Sequence, residues 1–177
     1  MRLIPKPQPE EHVPYVLMYI DLLPDDGRIL QHLSDNLEAT KQFIATFPDD
    51  FLAKPHAPNE WTIKEILVHI IDDERIYAYR ALRFARNDFT ELPGFEQDDY
   101  IIPSRANERT IEDILAELTA VRLATLSLYQ NLPEETLTRA GIASGNIMSV
   151  RTIAYHIAGH ELHHMNSIRE NYGDWRR

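Results

Sequence analysis

Apolar residues recur at every third or fourth position in four separate stretches of the chain, a spacing that predicts amphipathic helices. The predicted helices run from Asp25 to Phe47, from Thr62 to about Asn87, from Thr110 to Asn131 and from Ser149 to Asn171. Strict alternation of apolar and polar residues, which would indicate half-buried strands, is not convincing anywhere in the chain. The pattern therefore predicts an all-α protein, a four-helix bundle whose sites are built from side chains on facing helices.

The segments between these helices differ in length and in proline content. Residues 1–24 carry five prolines, which predicts an extended N-terminal arm with one or two apolar turns from Tyr15 to Leu23 packed on the body. Residues 25–177 are then the helical domain. A long connection from Phe89 to Glu108 separates the second and third helices, and its aromatic side chains favour an ordered cover over a loose linker. Residues Glu134 to Asn146 predict a loop or a short irregular hairpin.

Capping sequences mark the starts of two of the predicted helices. Thr62 and Glu65 have the spacing of a capping box, in which each side chain binds the backbone N–H of the other residue. Ser149 stands where an N-cap is needed for the last helix. Both helices are therefore expected to begin at well-defined positions.

The last predicted helix carries four of the eight histidines of the chain. His160 and His164 lie four residues apart, so their rings stand on one face, at the edge of the apolar stripe and inside it. They are either a chelating pair or partly buried histidines that bind carboxylates or backbone carbonyls. His156 and His163 fall further round the helix, where they are expected to support the site, to contact a second subunit or to do neither.

A third ligand is available on the second predicted helix. His69 lies against the apolar face of that helix, so the bundle would bring it toward His160 and His164. Imidazole is a common ligand of zinc and other transition metals, and three neutral imidazoles leave coordination positions open for water or substrate. The spacing therefore predicts an open metal site of the catalytic kind.

Carboxylates accompany the predicted ligands on both helices. Asp72 and Asp73 follow His69 by three and four residues, close enough to bind its second ring nitrogen, to ligate the metal, or to be surface carboxylates paired with Arg75. The role of Glu74 is left open. Glu161 lies in the middle of the apolar stripe, where an unpaired carboxylate would be costly, so a polar partner must meet it.

Composition and charge exclude several classes of site and partner. The 177 residues contain no cysteine, which excludes disulfides, a thiolate nucleophile and cysteine-ligated zinc. A net charge of -10 argues against a nucleic-acid partner, because that affinity comes largely from lysine and arginine. No apolar run approaches the roughly 18 residues of a membrane span, and the start lacks the apolar region of a secretion signal, so a cytoplasmic location without membrane attachment is expected.

The string from His160 to His164 also matches the H-E-x-x-H pattern of zinc metalloproteases. Those enzymes need a third ligand, which usually follows in the sequence, and a sheet edge that holds the peptide. No histidine follows His164, and Glu170 is too near in the same helix to complete the site. The pattern therefore disfavours a protease, while Glu161 stays open as a water-activating or supporting carboxylate.

Two motifs resemble those of the DinB-like superfamily, in particular the group that contains bacillithiol S-transferases. They are WTIKEILVH, which ends at His69, and HIAGHELHH, which ends at His164. The resemblance extends from about Arg28 to Ile168, and the histidine of helix two with the paired histidines of the last helix is its most specific part.

The resemblance implies a four-helix bundle that binds one divalent metal, usually zinc or nickel, through His69, His160 and His164. It also implies a homodimer and a small-molecule substrate. Members of the family are described as metal-dependent hydrolases and as transferases or isomerases that use a low-molecular-weight thiol such as bacillithiol.

For a hydrolase, Glu161 or Asp73 is expected to move the proton of the attacking water. For a transferase, the thiol must come from solution, because the chain has no cysteine. A binding or stress-response module that holds metal without turnover is the alternative of a different class.

Overall fold

The computed structural model describes residues 1–173, and four long helices dominate it, as the pattern predicted. In chain order the helices are α1 (Leu17–Ile20), α2 (Ile29–Ile44), α3 (Asp49–Leu52), α4 (Ile63–Ala85), α5 (Gln97–Ser104), α6 (Ile111–Asn131) and α7 (Val150–Tyr172). Two strands, β1 (Ala140–Ala143) and β2 (Asn146–Ser149), precede α7. The predicted second, third and fourth helices correspond to α4, α6 and α7, and the first corresponds to α2.

The four long helices form a closed ring around the core. Helix α4 packs against α6 and α7, and α2 packs against the opposite sides of the same two helices. The apolar faces predicted for α2, α4 and α7 are all buried. The hydrophobic contacts fall into one cluster around the arm, the hairpin and the start of α7, and a second around the end of α7 and the first half of α4.

The apolar spacing of helix α6 predicts a buried side made of Ile111, Leu115, Leu118, Leu126 and Tyr129. Leu118 and Tyr129 are buried as expected, whereas Leu115 and Leu126 are only half-buried. The half-buried residues still pack against the core. The fully buried side also includes a charged residue, Arg122, which an apolar period does not register.

Both predicted caps are present. The Thr62 Oγ1 atom accepts the backbone N–H of Glu65 at 3.2 Å, and the Glu65 carboxylate accepts the N–H of Thr62 at 2.8 Å, which completes the capping box. Ser149 Oγ accepts the N–H of Thr152 at 3.1 Å. These caps start the two helices that carry the predicted metal ligands.

The N-terminal arm packs on the bundle. Ile4 is buried, its N–H donates to the carbonyl of Gly27 at 2.8 Å, and its own carbonyl accepts the hydroxyl of Tyr155 on α7 at 2.9 Å. Glu11 forms an ion pair with Arg151, also on α7. The first long helix begins at residue 29 rather than at residue 25, because Gly27 has a non-helical φ of 70° and its carbonyl is bound by the arm.

Helix α1 lies directly against α7, and a glycine makes this approach possible. A Cβ atom built on Gly159 would lie 2.2 Å from the carbonyl oxygen of Tyr19, so any side chain at this position would push α1 away. The approach brings the Tyr19 ring to 5.0 Å from the ring of His156 and 5.4 Å from that of His160.

The segment before α7 is a regular hairpin rather than an irregular one. Strands β1 and β2 are antiparallel, with Ala143 paired to Asn146. Ser144 and Gly145 connect them with positive φ angles of 53° and 71°, the conformation of a two-residue type I′ turn. Leu92 extends the pairing, because its backbone bonds to Ile142 and Ser144.

The long connection between α4 and α6 is ordered, as its aromatic residues suggested, but it contains α5, which the periodicity did not predict. Phe95 packs against the core and its ring lies 5.4 Å from that of Tyr100. Helix α5 is only eight residues long and has Pro103 inside, so it offers too few turns for a helical period to be recognised.

Candidate metal centre

Three histidine side chains converge between α4 and α7. The Nε2 atom of His160 lies 3.1 Å from Nε2 of His69 and 3.1 Å from Nε2 of His164. One nitrogen from each ring lies within 4.8 Å of the other two. His69 and His160 are buried, and His164 is half-buried. The structure therefore brings together the three residues that the spacing selected.

The geometry and the chemistry of these nitrogens fit a divalent cation. Ligand nitrogens about 2.1 Å from a tetrahedral zinc stand roughly 3.4 Å apart, close to the spacing of the Nε2 atoms. Burial lowers the pKa of all three imidazoles, to about 3 for His160 and to about 2 for His164. The rings are therefore neutral at neutral pH, which is the form that binds metal.

A carboxylate orients the central ring of the three. Oδ2 of Asp73 lies 3.4 Å from Nδ1 of His160 and 3.2 Å from Nε2 of His156. A carboxylate only accepts hydrogen bonds, so it favours a proton on His160 Nδ1 and leaves the lone pair of Nε2 directed at the other two imidazoles. Burial opposes ionisation of Asp73, yet its contacts with His160 and His156 hold the pKa of this carboxyl below its ordinary value.

A cleft of about 180 Å³ reaches His160 from one side. Asp73 and His156 line it, together with side chains from the arm, α1, α4, the connection after α4 and the hairpin. These segments come from distant parts of the chain, so the cleft exists only in the folded bundle. It gives a small molecule access to the side of the histidine cluster.

A sequence profile of the DinB superfamily matches residues 32–168 of the chain, which include all three clustered histidines. The chain belongs to the DinB superfamily. This confirms the resemblance carried by the motifs that end at His69 and His164.

Two similar proteins extend this assignment. A protein of Oceanobacillus iheyensis, described as a "putative metal-dependent hydrolase", is 29% identical over 128 residues, which are 71% of this chain and 73% of the relative. The structure of YfiT from Bacillus subtilis, described as "a probable metal-dependent hydrolase with an unusual four-helix bundle topology", superposes with a TM-score of 0.71. That match covers 85% of this chain and 90% of YfiT at 14% identity, which shows a shared fold.

In this DinB-superfamily chain, His156 lies on a side of α7 that other segments cover. Its side chain is buried, its ring stacks on that of Tyr77 at 3.9 Å, and its Nε2 meets Asp73. Its Nδ1 is the one buried side-chain nitrogen or oxygen in residues 1–173 without a hydrogen-bond partner. Of the roles expected for this residue, its contact with Asp73 favours support of the site. The cover that α1 and the arm place over this side of α7 follows from no feature of the α7 sequence.

His163, the second residue expected on the flank, is half-buried, with its ring 5.6 Å from that of Tyr19. It is not one of the three histidines whose nitrogens converge.

Glu161 has the polar partners that its position required. Its Oε1 accepts the hydroxyl of Thr40 at 2.8 Å, and its Oε2 accepts Nη2 of Arg122 at 2.9 Å. Arg122 also binds both oxygens of Glu74, so that carboxylate belongs to the same buried network. Burial raises the pKa of Glu161, although Arg122 and Thr40 oppose the shift. Both carboxylates are engaged inside the bundle.

Asp72 is half-buried, burial raises the pKa of its carboxyl, and it lies outside the histidine cluster. It lies 4.0 Å from Arg75, which also pairs with Glu117 on α6. Of the two aspartates that follow His69, Asp73 is therefore the one that joins the histidine cluster, and it meets His160 rather than His69.

No helix in the described part of the chain is both long enough and apolar enough to cross a membrane.

Proposed function

We propose that this DinB-superfamily protein is a metal-dependent hydrolase of a small molecule, in which His69, His160 and His164 hold one divalent cation, zinc or nickel. The observation that carries the proposal is the convergence of three neutral imidazole nitrogens at one point beside a cleft. When bound, such a cation supplies Lewis-acid activation of water and of a carbonyl group. The descriptions of both similar proteins as metal-dependent hydrolases support the same chemistry.

The side chains around the cluster have distinct roles in this proposal. Asp73 positions His160 through Nδ1 and binds His156 through Nε2. The Nε2 atom of His156 lies against Asp73, and its Nδ1 is buried and has no protein partner in residues 1–173, so it is closed to water in the cleft. Asp73 therefore acts on the centre by positioning both imidazoles, in place of the proton transfer expected of it.

Glu161 was the second carboxylate predicted to move a proton. We propose a structural role for it instead, because Thr40 and Arg122 engage its two oxygens.

The test combines metal analysis with hydrolysis assays. Purified protein is expected to carry about one divalent ion per chain, and removing it with a chelator should abolish hydrolysis of a panel of chromogenic esters and amides. His160→Ala should lose both the ion and the activity, because it removes the central ligand. His163→Ala, on the same helix but outside the converging set, should keep both. Protein that neither carries nor takes up an ion would exclude the proposal.

The same preparations separate the alternatives. Incubation with monochlorobimane, with and without bacillithiol, tests for thiol S-transferase activity. If a conjugate forms only when the thiol is added, S-transfer rather than hydrolysis is the main activity. Metal binding without either reaction would indicate the non-catalytic module.

A homodimer and a cytoplasmic location remain predictions.

A further inference from the structure

A second charged side chain lies in the cleft. Arg80 is 4% exposed and lines the same cavity as His160. It follows Asp73 by seven residues, which is two turns along one face of α4 and about 10 Å along the helix axis. The arginine and the histidine cluster are therefore separated by the length of a small molecule.

Within residues 1–173, no carboxylate neutralises the charge of Arg80. Its Nη2 donates to the carbonyl of Pro93 at 3.1 Å, and its guanidinium carbon lies 4.7 Å from the Tyr77 ring centre and 5.9 Å from that of Phe95. No carboxylate within residues 1–173 forms an ion pair with it at 4.0 Å or less. Arginine keeps its proton in proteins, so burial cannot remove this charge.

The other buried arginine shows what a structural guanidinium looks like in this fold. Arg122 is fully buried and binds two carboxylates, Glu74 and Glu161, and the carbonyl of Leu33. Among the described residues, Arg80 has a single carbonyl acceptor and two aromatic rings instead. A buried charge is costly unless it is paired, so Arg80 is better explained by a ligand than by stability.

Aromatic contacts connect Arg80 to the histidine cluster. The Tyr77 ring lies beneath the guanidinium and stacks on His156 at 3.9 Å, and the His156 ring lies 5.5 Å from that of His160. Polar side chains of α5 and the hairpin, Gln97, Ser144 and Asn146, line the same cavity. A molecule that reaches His160 through this cleft therefore passes beside Arg80.

A neighbouring groove, which Arg80 also borders, is lined by Ile76, Leu92, Pro93 and other residues, and its second arginine, Arg75, is already paired with Glu117. That groove offers few polar groups of its own. The histidine-lined cleft is therefore the place where the free charge and the reactive groups meet.

We propose that Arg80 binds a carboxylate or phosphate group of the substrate and thereby presents the scissile bond to the histidine cluster. This inference rests on the proposed hydrolase, and it assigns the substrate to small anionic molecules. The planar guanidinium suits either oxyanion, since two parallel N–H groups match two oxygens. The neutral end of the substrate then lies toward His160.

The experiment measures the binding of simple probes to metal-loaded protein by calorimetry. The probes are glutarate, its neutral analogue glutaramide, and glycerol 3-phosphate. Arg80→Gln removes the charge, and Arg83→Gln is the matched control, because Arg83 lies on the same helix but is partnered by Asp88 outside the cleft. Arg80→Lys, which keeps the charge without the planar fork, provides a second variant if the first does not fold.

We expect at least one anion to bind the unchanged protein and the Arg83 variant about tenfold or more tightly than Arg80→Gln, with Arg80→Lys in between. The neutral analogue glutaramide should bind the unchanged protein and the variants with equal affinity. If only the affinity for glutarate depends on Arg80, the substrate carries a carboxylate. If the affinity for glycerol 3-phosphate depends on Arg80, the substrate carries a phosphate. Equal affinity of both anions for the unchanged protein and Arg80→Gln, or no measurable binding to the unchanged protein, would overturn the inference.

Metal content and hydrolysis of a neutral ester, measured on the same samples, keep the two proposals separate. Metal-dependent hydrolysis without Arg80-dependent anion binding rejects the anion site alone. Anion binding that depends on Arg80 without metal-dependent hydrolysis rejects the hydrolase alone.

Discussion

Asp73 contacts two imidazoles with one carboxylate oxygen, and this places it between the predicted metal ligands and the cleft. It touches both His160 and His156 through its charged group. Carboxylates that orient a ligating histidine hold its ring in position and increase its basicity, so their loss weakens metal binding without removing a ligand.

Replacing Asp73 by Asn is therefore expected to weaken metal affinity by about 10- to 100-fold, because an amide no longer favours the required proton on His160 Nδ1. Competition with a chromophoric chelator measures the affinity. Asp72→Asn serves as the control, since Asp72 lies near Arg75 and outside the histidine cluster, and the metal affinity of this variant should not change. Equal metal affinity of Asp73→Asn and the unchanged protein would show that Asp73 has no role in the centre.

Sequence reasoning identified the clustered residues and missed their surroundings. His69, His160 and His164 follow from residue type and helical spacing, and Asp73 follows from its distance to His69 along α4. The buried His156 and the unpaired Arg80 do not follow, because each depends on a segment that is remote in the chain. Tyr19 of α1 and Pro93 of the connection are examples of such remote partners.

At the scale of elements, the contact between α1 and α7 shapes one wall of the cleft. Tyr15 and Tyr19 line it, and the backbone of Tyr19 rests on Gly159. A glycine inside a helix ordinarily costs stability relative to alanine, so its presence in the middle of α7 needs a packing reason. The close approach of the Tyr19 carbonyl is that reason.

Gly159→Ala is expected to destabilise the protein by about 1–3 kcal/mol, although the same change in an open helix would stabilise it by roughly 0.5–1 kcal/mol. The added methyl group must displace α1 or bend α7, since it would lie 2.2 Å from a backbone oxygen. Chemical denaturation measures the free energy of unfolding. A gain in stability would mean that α1 does not pack closely on α7.

Elements with a long apolar period were predicted well, and short elements were not. Helices α2, α4 and α7 bury the faces that their sequences specify, because each has four or more turns with apolar residues on one side. Helix α5 and the hairpin are too short to show a period. Their positions are decided by contacts, such as those of Leu92 with the hairpin.

At the scale of the whole molecule, one buried network joins all four helices of the bundle. Arg122 of α6 binds Glu74 of α4, Glu161 of α7 and the carbonyl of Leu33 on α2, and Thr40 of α2 also binds Glu161. Removing one partner from such a network leaves buried charges uncompensated, which is far more costly than losing a surface ion pair.

Arg122→Met is therefore expected to lower the free energy of unfolding by about 3–5 kcal/mol. The pKa of Glu161 is already raised by burial, and loss of the guanidinium raises it further. The folded variant then binds more protons than the unfolded chain. Its loss in free energy of unfolding, relative to the unchanged protein, should therefore shrink as the pH falls from about 8 to about 5.

Chemical denaturation of the variant and the unchanged protein at both pH values measures this loss in free energy of unfolding. Arg109→Met is the control, because Arg109 pairs with Asp113 and Glu117 near the surface and should cost no more than about 1 kcal/mol. A small loss for Arg122→Met that does not depend on pH would show that the network is not required for the bundle.

The sequence by itself determined the fold class, the three faces with strong apolar periods and the identity of three converging histidines, because helical spacing is a local property of the chain. It also required a polar partner for Glu161 without naming it. Only the tertiary structure decided which residue is that partner and which residues line the cleft. Arg122, His156 and Arg80 acquire their environments from helices and loops far away in sequence, and burial and pairing of a charge depend on those neighbours rather than on the residues beside it.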